Sequence, residues 1–205
     1  MENKKGTLVV ISGPSGSGKG TVVKRLREIM PEISLSVSAT TRAPREGEVD
    51  GREYYFITRD DFEDMVAQGE ILEFTSYCGN YYGTPKKEAE RITGEGRDLI
   101  LEIEVDGASQ IKRLVPDSVT IMLIPPTVSE LEARLRGRAT ETDQVISNRL
   151  ARARDEINLA PTYDYVVVNE NGGIDQCAET IRDIIRAERS KSARMTYITD
   201  KFLDN

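Results

Sequence analysis

Thr7-Leu8-Val9-Val10-Ile11-Ser12-Gly13-Pro14-Ser15-Gly16-Ser17-Gly18-Lys19-Gly20-Thr21 decides how this 205-residue chain is read. Residues 7–11 are apolar and rich in β-branched side chains, the composition of a strand buried on both faces. A glycine-rich turn follows, and then Val22, Val23, Leu26 and Ile29 recur at helical spacing until Pro31. Gly13, Pro14, Ser15, Gly16, Ser17, Gly18 and Lys19 fill the pattern G-x-x-x-x-G-K between that strand and that helix, the only context in which the pattern is diagnostic. Glycines let the backbone curl so that successive N–H groups point at phosphate oxygens, and the helix N-terminus adds a favourable dipole. Lys19 brings a mobile positive charge to the β and γ phosphates of a nucleotide. The next residue is Gly20, where the general motif has Ser or Thr, and Thr21 comes one place late. The usual hydroxyl ligand for Mg2+ is therefore missing, and a metal is expected to rest on nucleotide oxygens, water and carboxylates elsewhere.

Working outward, further apolar runs lie at 99–105, 119–124 and 165–168. Helical patterns accompany them: Leu131 and Leu135; then Val145, Ile146, Leu150, Ala153 and Ile157; then Ile181, Ile184 and Ile185. Thr127-x-x-Glu130 after Pro125-Pro126 has the form of a capping box. Strands alternating with helices predict an α/β fold, a parallel sheet covered on both faces. Residues 39–91 break this rhythm with charged, tyrosine and glycine positions and short strand-like pieces at 53–58 and 71–77. They are expected to form a lobe inserted into a core built from 1–38 and 92–205. The polar stretch 137–143 is a second candidate mobile piece, within a lid region of about 137–150.

Composition narrows the function. The net charge is −7, which argues against a broad nucleic-acid-binding surface. The chain has no histidine, so histidine-dependent triads, the usual zinc geometries and imidazole acid–base chemistry are excluded. Cys78 and Cys177 are far apart and form no metal pattern, in keeping with a cytoplasmic protein. No signal segment is read at the N-terminus, no apolar run there is long enough for a membrane, and a monomer or small homo-oligomer is expected.

Arg42 and Arg45 lie three apart with Pro44 between them, and the pair reads either as a fork around one phosphate or as a solvated basic turn. Glu102 and Glu104 alternate with Leu101, Ile103 and Val105, which predicts two carboxylates on one face of a strand. They need either a metal and a ligand or salt bridges. The window 131–154 carries Arg134, Arg136, Arg138, Arg149, Arg152 and Arg154 against Glu132, Glu141 and Asp143, a local cationic surplus in an acidic chain. Neither an Asn-Lys-x-Asp base-reading motif nor an Asp-x-x-Gly switch occurs, so a kinase of a small acceptor is favoured over a GTP-hydrolysing switch.

The blocks GPSGSGKGT (13–21), SVSATTRAPREGEVDGREYYF (36–56), ILEF (71–74), GNYYGTP (79–85), LILEIEVDG (99–107) and RGRATET (136–142) keep their order over nearly the whole chain. Together they resemble guanylate kinase, among the P-loop nucleoside monophosphate kinases. The resemblance implies a three-layer α/β/α fold with a five-stranded parallel core sheet, a mixed acceptor lobe and a small lid. It implies transfer of the ATP γ-phosphoryl group to GMP or dGMP with Mg2+, supplying GTP synthesis. ATP would lie on residues 13–21 with Asn169 near adenine, and Lys19, Arg45, Arg138 and Arg149 would surround the transferring group. Arg42, Arg45, Tyr54 and Tyr82 would hold the GMP phosphate. Glu73 would accept from guanine N1 and the 2-amino group, and Ser38 and Thr84 would address O6. Glu104 would meet the acceptor nucleotide and Glu102 a magnesium-bound water. Family members often carry aspartates at those two places and a glutamine in place of Asp106, so these contacts are where this chain departs.

The chemistry is coherent with guanine. Guanine offers a carboxylate two adjacent donors, whereas adenine would leave it desolvated and unpaired at about 1–3 kcal/mol. Two rivals remain at this stage: a non-catalytic protein-binding module of the same fold, and a kinase of AMP or UMP. Intact Gly13, Gly18 and Lys19 speak against the first, and the grouping of Glu73 with Ser38 and Thr84 against the second.

Overall fold

The computed structural model describes residues 5–137 and 142–195, together with Ile198, Phe202 and Leu203. The chain runs β1 (Leu8–Ser12), α1 (Lys19–Ile29), β2 (Ser34–Leu35), β3 (Ala39–Thr40), β4 (Tyr55–Phe56), α2 (Arg59–Ala67), β5 (Ile71–Tyr77) and β6 (Asn80–Pro85). It continues with α3 (Lys86–Gly94), β7 (Leu99–Glu102), α4 (Val105–Leu114), β8 (Val119–Ile124), α5 (Val128–Arg136), α6 (Asp143–Ile157), β9 (Tyr165–Val168) and α7 (Ile174–Arg189).

Five strands form one parallel sheet in the order β2-β7-β1-β8-β9. All five residues of β1 are buried, as its unbroken apolar run requires of a central parallel strand. Its side chains alternate between two cores. Val9 and Ile11 pack with Val23, Leu26, Ile181 and Ile185 of α1 and α7. Leu8 and Val10 pack on the opposite face with Ala89, Ile92, Ala108 and Ile111 of α3 and α4. Each buried Val, Leu or Ile among them contributes about 1.5–3 kcal/mol by burial. The result is the three-layer α/β/α arrangement with its switch in strand order beside β1, where ligands of open α/β sheets bind. A third cluster, Leu131, Leu135, Ile146 and Ala153, joins α5 to α6.

A second, mixed sheet has the order β4-β3-β6-β5. β3 and β4 are parallel, and the other pairs are antiparallel. The β5–β6 hairpin turns through Cys78 and Gly79, both at positive φ (49° and 77°), as a two-residue primed turn demands. Near its start β5 carries one extra residue between Ile71 and Phe74 against Pro85 and Gly83.

Two expected strands are shorter than their apolar runs. The piece at 53–58 contracts to Tyr55–Phe56. The run at 99–105 ends at Glu102, and Glu104 is instead the N-cap of α4, which begins at Val105 with Asp106 in its first turn. The capping box is half realised. Thr127 accepts from the Glu130 N–H at 3.1 Å, but the Glu130 carboxylate bonds Arg134 rather than reaching back, because a cation at i+4 competes for it. Among the described residues no helix is long and apolar enough to cross a membrane.

Candidate active site

The phosphate loop is braced from behind. Gly18, the N-cap of α1, has left-handed φ of 94°, and a Cβ there would stand 2.5 Å from Asn169 Nδ2. Only glycine permits both the conformation and the approach. Asn169 Nδ2 donates to the Ser17 carbonyl at 2.8 Å, and Arg134 Nη2 donates to the Asn169 carbonyl at 2.8 Å. Asn169 therefore sits against the loop rather than on its open side. It is 4% exposed, and its Oδ1 has no hydrogen-bond partner among the described residues. Lys19 Nζ donates to the Gly13 carbonyl and lies 4.0 Å from Glu104 Oε1.

A cleft of about 490 Å³ opens between the two sheets. The second sheet and its loops contribute Ser38, Arg42, Arg45, Tyr54, Glu73 and Tyr82 to its wall. The core contributes Ser15, Glu102, Glu104 and Arg149, joined by Arg152 and Glu156 of α6. Residues expected at one site from five of the six blocks, with Arg149 of α6, thus meet in one space. Thr84 does not line it. That residue is fully buried, and its hydroxyl donates to Glu73 Oε1 at 2.6 Å. Arg138 lies outside the described residues.

At the acceptor end Arg42 Nη2 grips both oxygens of Glu48, at 2.9 and 3.0 Å, and the Arg45 N–H donates to the same carboxylate at 2.7 Å. The Arg42 guanidinium lies 5.4 Å from the ring centre of Tyr54 and 5.7 Å from that of Phe56, so cation–π contact adds to its alignment. The hydrogen bond from Arg42 is the first cause that holds the Glu48 carboxyl below its usual range. The Arg42 guanidinium and the Arg45 N–H thus converge on one carboxylate. Glu48 was not among the expected site residues. Its signal was an acid three places after Arg45, inside a basic turn that needs a counter-charge.

Glu73 falls within the irregular start of β5. Bulges re-aim side chains, and this one sends a carboxylate that is only 3% exposed to the cleft wall. Burial raises its pKa, opposed by the bonds from Thr84. Glu102 is likewise raised by burial, with Lys19 pulling the other way and Glu104 adding to the rise. Its Oε1 lies 3.4 Å from where a Cβ on Gly20 would stand. The carboxylate thus borders the space into which the motif's Ser or Thr side chain would project. Glu156 is raised mainly by burial and accepts from Arg152 Nε at 2.8 Å. The arginine surplus of 131–154 is largely engaged: Arg134 with Glu130, Arg136 with Glu132 and Asp143, and Arg152 with Glu156.

Comparison with known proteins follows the same lines. The family model for guanylate kinase matches residues 5–188. A guanylate kinase of Lactococcus lactis is 48% identical over 192 residues, covering 94% of this chain and 93% of its own. One of Halalkalibacterium halodurans is 48% identical over 195 residues, covering 95% of each chain. The crystal structure of guanylate kinase from Anaplasma phagocytophilum superposes with a TM-score of 0.73 at 36% identity, covering 94% of this chain and 90% of that one. A phosphate loop on one wall, a buried carboxylate with paired arginines on the other, and full-length relatives above 30% identity lead to one conclusion: the chain belongs to the guanylate kinase family, whose members are nucleoside monophosphate kinases.

Proposed function

We propose that the protein transfers the γ-phosphoryl group of ATP to GMP, and to dGMP, releasing ADP and GDP (or dGDP). The observation that carries this reading is the single cleft that joins Ser15 of the phosphate loop to Glu73, Arg42 and Arg45. One wall suits a polyphosphate and the other a purine monophosphate.

The phosphate loop, residues 13–21, receives the ATP phosphates on its N–H groups, with Lys19 leaving the Gly13 carbonyl for the β and γ oxygens. Asn169, assigned to the adenine side of the loop, acts there by bracing it through the Ser17 carbonyl. Arg42, Arg45 and the hydroxyls of Tyr54 and Tyr82 take the GMP phosphate in exchange for Glu48, a carboxylate-for-phosphate swap that keeps the guanidinium paired throughout. Glu73 accepts from guanine N1–H and the 2-amino group, with Ser38 facing O6 and Thr84 holding the carboxylate in place. A phosphate oxygen of GMP then bonds to the γ phosphorus as the bond to the β-bridging oxygen breaks, and ADP carries away that electron pair. The acceptor oxygen is already ionised at neutral pH, so no imidazole base is needed. Lys19, Arg45 and Arg149, with Arg138 from the RGRATET block, neutralise the charge as it moves.

A hard cation fits the oxygen donors present, Glu102 beside Gly20 and Glu104 near Lys19, as carboxylates that share the ion with phosphate and water. Magnesium would supply charge neutralisation on the β and γ oxygens. We assign the lobe 39–91 and the lid region 137–150 the task of excluding water when both nucleotides are bound, and we place the reaction in the cytosol. Release of ADP with GMP, dGMP, AMP and UMP offered separately tests the reading. Turnover with the two guanine nucleotides alone is expected. Turnover with AMP or UMP would make it another kinase, and none with any acceptor would make it a binding module.

A further inference from the structure

We propose that Gly107 and Gln110, one turn apart on α4, are positioning residues that set guanine selectivity by seating Glu73. The inference rests on the reading of Glu73 as the guanine acceptor. A Cβ at Gly107 would stand 2.4 Å from Glu73 Oε2 and 3.1 Å from its Cδ. The carboxylate therefore lies directly on the first turn of α4, in space that any other residue would fill. Three residues later on the same face, Gln110 bonds the neighbouring backbone twice. Its Nε2 donates to the Phe74 carbonyl at 3.0 Å, and its Oε1 accepts from the Phe74 N–H at 3.3 Å. β5 is the edge strand of its sheet, and Glu73 lies in its irregular segment. Without Gln110 that edge would lose the pairing that fixes where the strand, and hence the carboxylate, is held.

Two contacts thus meet on the Glu73 side chain, and a third fixes the peptide beside it. Thr84 holds Oε1 from within the sheet, Gly107 makes room for Oε2, and Gln110 pins the next peptide. Because α4 starts directly after Glu104, the same helix ties the specificity carboxylate to the core wall of the cleft. None of these residues need touch the nucleotide.

The test is steady-state kinetics with GMP and with IMP, which lacks the 2-amino group that a displaced carboxylate would miss. In Gly107→Ala the new methyl must push Glu73 aside by about 1 Å, and a shift of that size raises KM for GMP on the order of 10- to 100-fold. KM for ATP should stay put, and the preference for GMP over IMP should shrink. General damage to the fold would not move that preference. Glu73→Asp retracts the carboxylate by one methylene, so the double variant Gly107→Ala/Glu73→Asp should lose less than the product of the two single losses. Gln110→Ala should move KM for GMP and the IMP ratio in the same direction, and it carries the test if Gly107→Ala does not fold. Unchanged KM and selectivity in the folded variants, or strictly multiplicative losses in the double, would overturn the seat. Should Glu73→Gln itself leave GMP use unchanged, the guanine reading fails instead, and the two failures are told apart.

Discussion

Replacing Glu73 with Gln should move activity and stability in opposite directions, and the structure gives the size of the first and the sign of the second. Glutamine keeps the shape of the side chain but turns one acceptor into a donor and removes the charge. Guanine N1–H and the 2-amino group would then meet one neutral acceptor and one opposing N–H. Losing one charge-assisted hydrogen bond and weakening the other costs about 3 kcal/mol, or roughly 10²-fold in kcat/KM for GMP. Stability runs the other way. Glu73 is 3% exposed, and burial raises its pKa. A group whose folded pKa lies above its unfolded value contributes its full stability below the unfolded pKa and loses it as pH rises through the folded one. At neutral pH burial of Glu73 therefore costs the ligand-free protein stability, and glutamine removes that cost. Glu73→Gln should melt higher than the parent at pH 7, by about 2–4 °C for each kcal/mol gained, and the gap should close as pH falls toward the ordinary carboxylate range. Thermal melts from pH 5 to 8, paired with a coupled ADP assay, read both effects. A variant that melts lower at pH 7, or keeps its kcat/KM for GMP, would refute the reasoning.

Other predictions use the same assays. Lys19→Met should lower turnover by on the order of 10²-fold or more, as for other lost transition-state donors; near-normal turnover would contradict its place at the transferring group. Arg42→Lys keeps the charge but loses the planar fork, so KM for GMP should rise about tenfold or more while KM for ATP holds, as measured in separate substrate titrations. Glu102→Gln should raise the Mg2+ concentration needed for half-maximal rate by about tenfold, and Gly20→Ser in that background should restore part of it by returning a hydroxyl to the adjacent space. A magnesium titration indifferent to both changes would remove Glu102 from the metal's surroundings.

The features legible in the sequence were those with a local cause. The phosphate loop is set by glycine spacing between a strand and a helix, and β1 and β8 are apolar runs whose burial follows from composition, whereas β9, at the sheet edge, buries Val167 but leaves Val166 and Val168 exposed. The clustering of Arg42, Arg45, Tyr54, Tyr82 and Glu73 was reached through resemblance, because no periodicity links residues so far apart. α4 was missed although Asp106 lies in its first turn and Lys112 and Arg113 in its last, each suited to the helix dipole. Its early Gly107 is a poor helix former, tolerated there because a carboxylate occupies the space of the absent side chain. β2, β3 and β4 are each two residues long, too short to show a period of two.

Side-chain commitments were also beyond the sequence. The surplus of arginines in 131–154 counts charges but not partners, and the fold gives Arg134, Arg136 and Arg152 acids one turn away. Thr84, expected to face the base, instead donates to Glu73. Glu48 takes its meaning only when the turn brings its carboxylate into the fork of Arg42.

The most direct measurement is a crystal structure with GMP and a non-hydrolysable ATP analogue bound together. The triphosphate should lie in the curl of residues 13–21, with Lys19 turned to it from the Gly13 carbonyl. The GMP phosphate should sit on Arg42 and Arg45 with Glu48 released, and the guanine edge on Glu73. A triphosphate bound away from the loop, or a purine seated anywhere but against Glu73, would contradict the account.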